Sequence, residues 1–300
     1  MSIAVKERSV STDHKNRFRN ARRNVDFTVD QDWLSYSAAE HDRWDRLFKR
    51  SQETLRDRAC DEFIGMMNAL KLSDSGIPDM EKLSERLEKI TGWTVVPVAG
   101  LVPDDIFFNH LANKRFPAGA FIRSEQEMDY LEEPDIFHDI FGHVPLLANP
   151  IYSDFMQAYG KGGQRSIQLG QLPHLARLYW HTVEFGLIRT KAGLRIFGAG
   201  IVSSTAESIF ALESDSPNRI GFDLERVMRT KYVIDTFQPT YFVIDSFEQL
   251  LDDCYQDFDP IYERIRVAPD IEANELIDND EVITRGDLGY FKDKRDITGI

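Results

Sequence analysis

Residues 133–145 read Glu-Pro-Asp-Ile-Phe-His-Asp-Ile-Phe-Gly-His-Val-Pro. His138 and His143 stand five positions apart in an otherwise apolar run, with Asp135 and Asp139 beside them. Imidazole is the commonest metal-ligating side chain, and a nearby carboxylate fixes its tautomer. A third candidate ligand is Glu184, in Tyr-Trp-His-Thr-Val-Glu-Phe-Gly at 179–186. A carboxylate between Val183 and Phe185 is costly to bury unless it is paired or metal-bound. Two histidines and one carboxylate make the facial set that leaves three positions open on iron(II). Zinc hydrolases use the same ligand types. Their helical signature spaces the histidines four apart, with glutamate directly after the first. Here the spacing is five and residue 139 is Asp. The pattern leans to iron and leaves zinc open. The plainer alternative is two hydrogen-bonded core histidines and a solvated Glu184.

These side chains need elements to aim them. A spacing of five suits a straight α-helix poorly, because at about 100° per residue the two rings point roughly 140° apart. Gly142 and Pro145 offer a break. The expectation is His138 on a helix and His143 at its end, where the chain turns back. Pro173 opens a helix predicted over 173–188, with Trp180 one turn before Glu184 and on the same face. His181 falls on another face and reads as structural. Ala118–Arg123 reads as a strand ending on a charge suited to a carboxylate ligand. Lys161-Gly-Gly163 reads as a loop without the framing of a phosphate site. Gly198-Ala-Gly200 reads as a tight turn where backbone approaches a ligand, followed by Ser204 or Thr205 capping the helix of Glu207. It lacks the third glycine and the acid of a dinucleotide fingerprint. Ser37-Ala-Ala-Glu40 is a capping box opening a helix. Helices are also expected at 78–91, 222–230 and 247–254, an extended segment at 93–100, and a strand at 241–244. The fold class is mainly α with a small β-sheet.

The 300 residues carry a formal net charge of −14, which argues against general nucleic-acid affinity. Only Cys60 and Cys254 occur, so a disulfide framework is excluded and a reducing, cytoplasmic setting is expected. No apolar run approaches the roughly 20 residues of a membrane span. Residues 1–29 read as a flexible basic arm, 30–268 as one catalytic domain and 269–300 as an acidic tail.

Three stretches together carry a resemblance: the histidine segment, Tyr-Trp-His-Thr-Val-Glu-Phe-Gly, and Phe-Gly-Ala-Gly-Ile-Val-Ser-Ser at 197–204. In this order and spacing the sequence resembles the pterin-dependent aromatic amino acid hydroxylases, above all the bacterial phenylalanine-hydroxylating members, over roughly 30–265. The resemblance implies a helical catalytic domain with a small sheet. Its iron(II) would be held by His138, His143 and Glu184, the catalytic set. It implies a tetrahydropterin cosubstrate, O2, and conversion of L-phenylalanine to L-tyrosine as the first step of phenylalanine catabolism. Tryptophan hydroxylation is the alternative within the family. By position, Arg123 would bind the substrate carboxylate, held by Asp135. Pro134, Trp180, Phe185, Gly200 and Ser203 would line the substrate pocket, with Ser203 also hydrogen-bonded to His138. The pterin would stack on Phe107 and meet Gly100, Leu101 and Val102, with Asp139 nearby and Ala176 and Tyr179 flanking. Val243 would favour an unsubstituted ring. Asp104, Leu131 and Asp139 differ from the animal enzymes, and a monomer is expected.

Overall fold

The first long helix starts where its sequence signals it. In a computed structural model describing residues 17–129 and 133–292, the Ser37 amide donates to the Glu40 carboxylate at 2.7 Å. The Glu40 amide donates back to the Ser37 hydroxyl at 3.4 Å. This reciprocal cap opens α1 (Ala38–Leu55), which buries Trp44, Leu47, Phe48 and Leu55. The chain's contacts gather into two units, one of residues up to 53 with 64–164, the other of 54–63 with 165 onward.

In the first unit, α2 (Asp61–Ala69) leads to α3 (Met80–Thr91). Asp79 caps α3, and Gly92 ends it in the left-handed region at φ 78°. Strand β1 (Thr94–Val98) pairs in parallel with β2 (Arg115–Gly119) across α4 (Asp104–Ala112). The strand expected at 118–123 thus lies earlier, and Arg123 sits in the segment after it. Next come α5 (Val144–Leu147) and α6 (Pro150–Leu169). The expected loop at 161–163 is helical. A Cβ on Gly160 would stand 2.4 Å from the Ala112 amide nitrogen, and one on Gly163 1.9 Å from the Phe108 ring. These glycines serve close helix packing, which their neighbours in sequence do not reveal.

The expected flexible arm is fixed from residue 17 on. Phe18 is 1% exposed, its ring 6.0 Å from Tyr36. Arg17 pairs with Asp32, Arg19 with Glu133 at 2.8 Å, and Asp26 with Arg115 at 2.8 Å. Thr28 bridges to Val98. Residues 1–16 and Leu131 lie outside the described residues.

The second unit begins its main run with α7 (Leu172–Tyr179), followed by β3 (Leu187–Thr190), β4 (Gly193–Ile196), α8 (Ala199–Val202) and α9 (Thr205–Glu213). Then come β5 (Asn218–Gly221), α10 (Leu224–Arg229), β6 (Thr240–Ile244), α11 (Phe247–Cys254), α12 (Asp259–Val267) and β7 (Val282–Thr284). The sheet order is β4-β3-β6-β5-β7, with β6 buried at every position. The expected acidic tail is part of this body at least through β7. Ile271 is buried, and Asp280 pairs with Arg226 at 2.8 Å, both side chains nearly inaccessible. Such a pair holds its partners inside, because breaking it leaves an uncompensated buried charge.

Candidate metal centre

The helix that carries His138 does not break at Gly142. It widens into a π-helical turn, His138–His143, and continues directly into α5. Bonds from i to i+5 bring residues five apart over one another. This resolves the awkward spacing by a route other than the expected chain reversal. Pro145 follows in the first turn of α5, where a missing amide is tolerated. The two imidazole Nε2 atoms face each other across 3.2 Å, with ring planes 81° apart.

Two carboxylates brace this turn. Asp139 accepts the Gly119 amide at 2.7 Å. Asp135 accepts the His138 amide at 3.0 Å and grips Arg123 at three points. The Arg123 amide and Nε donate to Oδ2 at 2.8 and 2.9 Å, and Nη2 donates to Oδ1 at 2.8 Å. Asp135 is 0% and Arg123 6% exposed. Burial alone would raise the carboxyl's pKa. The charge and hydrogen bonds of Arg123 outweigh it and hold Asp135 below the ordinary carboxylate range.

Glu184 also rides on a π turn. Helix α7 passes into Trp180–Glu184, which ends at Phe185. The helix is therefore shorter than the predicted 173–188. The glycines at 198 and 200 explain how the next turn approaches. A Cβ on Gly198 would lie 2.4 Å from the Glu184 carbonyl oxygen, and one on Gly200 3.0 Å from the Phe185 ring. The tight turn presses on the ligand's own backbone. Ser204 is the N-cap of α9. The Ser203 hydroxyl donates to the Ala199 carbonyl at 2.7 Å.

The Trp180 indole donates to Gln238 Oε1 at 3.0 Å. Its ring stacks on Tyr232 with centroids 4.4 Å apart and meets Phe185 at 4.9 Å. Sequence reasoning missed Tyr232 and Gln238. They lie in an irregular segment before β6, and no spacing marks them. Val243 is buried within β6, in register with Gly221 and Leu187. His181 is buried, with Nε2 3.2 Å from the Thr230 carbonyl, and burial pushes its pKa down to about 4. It is a structural histidine.

Residues assigned to the pterin sit at accessible positions. Leu101 is exposed, while Val102, Phe107, Ala176 and Tyr179 are half-buried, and Gly100 closes the segment after β1. Pro134 is half-buried just before Asp135.

One ligand atom each from His138, His143 and Glu184 lie within 4.8 Å of one another. Among the described residues no other group of three acids, histidines or cysteines is so placed. The donor set fits a divalent ion. An imidazole nitrogen sits about 2.1 Å from such an ion, so two at right angles are about 3 Å apart. The observed 3.2 Å between the Nε2 atoms matches that demand. Among the described residues no helix is long and apolar enough to cross a membrane.

Comparison with known proteins agrees with this centre. The family model described as biopterin-dependent aromatic amino acid hydroxylase matches residues 10–285. The phenylalanine-4-hydroxylase of Caulobacter vibrioides is 60% identical over 265 residues, covering 88% of this chain and 90% of that protein. The phenylalanine-4-hydroxylase of Ralstonia nicotianae is 56% identical, covering 91% and 87%. The crystal structure of cobalt-bound phenylalanine hydroxylase from Chromobacterium violaceum superposes with a TM-score of 0.88 at 50% identity, covering 91% of this chain and 98% of that one.

Proposed function

The chain belongs to the biopterin-dependent aromatic amino acid hydroxylases, and from that premise we propose that it is a phenylalanine 4-monooxygenase converting L-phenylalanine to L-tyrosine. One atom of O2 enters the ring and the other leaves on the pterin, with two electrons drawn from each partner. The observation that carries the reading is the convergence of His138, His143 and Glu184. Iron(II) held there by His138, His143 and Glu184 would supply the activation of dioxygen.

The chain's own residues do the rest. Arg123 commits Nε and one N–H of Nη2 to Asp135, which leaves the Nη1 protons and the second Nη2 proton for the amino acid's carboxylate. A guanidinium fixed in this way binds a carboxylate with little loss of side-chain entropy. Trp180 and Phe185 offer ring faces for an aromatic side chain, beside Pro134, Gly200 and Ser203. Phe107 and Tyr179, with the backbone of Gly100, Leu101 and Val102 and with Asp139 and Ala176 nearby, receive the pterin. Such a site works by holding ring and oxidant in register and by excluding water. The free thiols Cys60 and Cys254 support a reducing, cytoplasmic setting.

The test is anaerobic loading with ferrous iron, then phenylalanine, a tetrahydropterin and oxygen, with tryptophan in a parallel reaction. Tyrosine as the main product, lost on chelation or in Glu184→Ala, is expected. Absence of tyrosine under these conditions rejects the assignment.

A further inference from the structure

Glu207 is a buried carboxyl outside the metal cluster. Ser204-Thr-Ala-Glu207 heads α9 with the pattern in which glutamate turns back to the N-cap amide. At Ser37/Glu40 and Ser124/Glu127 that return bond is made. At Ser204 only half the motif forms. The Glu207 amide donates to the Ser204 hydroxyl at 3.3 Å, while the Ser204 amide goes to the Ile201 carbonyl at 3.0 Å. The carboxyl is turned toward the segment entering β6. Its Oε1 accepts the Tyr241 hydroxyl and, at 3.3 Å, the Gln238 amide. The Gln238 side chain reaches the other way. Its Nε2 donates to the Val233 carbonyl at 2.9 Å, and its Oε1 accepts the Trp180 indole. Glu207, Gln238 and Tyr241 are all buried.

We propose that Glu207 is a positioning residue for Trp180: it fixes Gln238, whose Oε1 sets the tilt of the indole four residues before the metal ligand Glu184. Tyr232 and Phe185 set the planes against the ring, but stacking alone leaves the indole free to swivel within its plane. The single polar atom of the ring removes that freedom, and it is only as fixed as its acceptor. Burial pushes the Glu207 carboxyl up to about 7, against the bonds from Tyr241 and Gln238. A neutral carboxyl still accepts through its carbonyl oxygen, so glutamine is a faithful replacement. The inference rests on the proposed contact of Trp180 with the substrate ring.

The test compares wild type with Glu207→Ala, Glu207→Gln and Gln238→Leu. Three quantities are read: the phenylalanine KM, tyrosine formed per tetrahydropterin consumed, and the near-ultraviolet circular dichroism of the iron-free proteins. A Trp180→Phe variant assigns the indole's band. Glu207→Ala and Gln238→Leu should raise KM about tenfold, lower tyrosine per pterin severalfold and shift the indole band, while Glu207→Gln stays within about twofold of wild type. Iron content should be unchanged throughout. A folded Glu207→Ala with wild-type KM, coupling and indole band overturns the proposal. So does a Gln variant as impaired as the Ala variant. If Glu207→Ala does not fold, Gln238→Leu decides alone, since it cuts the link at the indole and spares the Glu207–Tyr241 bond. If wild type makes no tyrosine, the activity assignment has failed, and the iron-free indole band still tests the positioning.

Discussion

Arg123 and Asp135 form a charge pair that water scarcely reaches. Replacing Asp135 with Asn leaves the guanidinium buried without its counter-charge, a change that costs about 3–5 kcal/mol in such settings. Asp135→Asn should therefore lower the melting temperature and raise the phenylalanine KM together. The Asp135 carboxyl titrates below its ordinary value. Its share of stability is present above the unfolded value near 3.8 and is lost only as pH falls through the depressed folded value. Melting curves from pH 5 to 8 should show no slope from this pair. Glu207 runs the opposite way, raised from 4.5 to about 7 by burial. Its contribution is full below 4.5 and is lost as pH rises through 7, a change on the order of a few kcal/mol. Burial pushes Tyr241, which faces it, well above 10 and pulls Arg219 down from its ordinary value. Glu207→Gln should flatten the fall in stability between pH 5 and 8, as thermal unfolding across that range would show. The three ligands were legible from residue type and apolar setting. Tyr232 and Gln238 were not, because they act through an indole whose position only tertiary packing decides.

The helices repeat this lesson in another form. The spacing of His138 and His143 was legible as a conflict with α geometry, and Gly142 and Pro145 advertised a break. The backbone widened instead, at both ligand-bearing turns. Local sequence gave no means of choosing between a break and a π turn, since both relieve the same misfit. Gly163 of α6 reads as loop for a similar reason: a residue chosen for contact looks like one chosen for flexibility. The contact can be tested. A Cβ at Gly160 meets the backbone of Ala112, which cannot yield as a side chain would. Gly160→Ala should cost about 1–3 kcal/mol despite alanine's better helix propensity. Nothing lies within 4 Å of a Cβ at Gly162. Gly162→Ala should be stabilising by about 0.5–1 kcal/mol. Denaturant titration of the two variants side by side separates packing from propensity.

Across the full chain, the boundaries were the least legible feature. Residues 17–29 and 269–292 are polar enough to read as loose ends. They are held by a few well-placed groups: Phe18 at one end, Ile271, Asp280 and β7 at the other. Composition averages over a segment and hides such anchors. Truncation after residue 268 should strip Arg226 of its buried counter-ion and β5 of a neighbour. A loss of at least about 3 kcal/mol follows from the ion pair alone, to be read as a lowered melting temperature or insoluble product. Strand β7 has one more consequence. Until residues 282–284 have emerged from the ribosome, β5 shows its outer rim of amides and carbonyls to every nearby nascent copy, an open template for cross-chain pairing. Clumping during rapid overproduction would then begin among unfinished molecules, and slower synthesis would relieve it where a change of buffer would not.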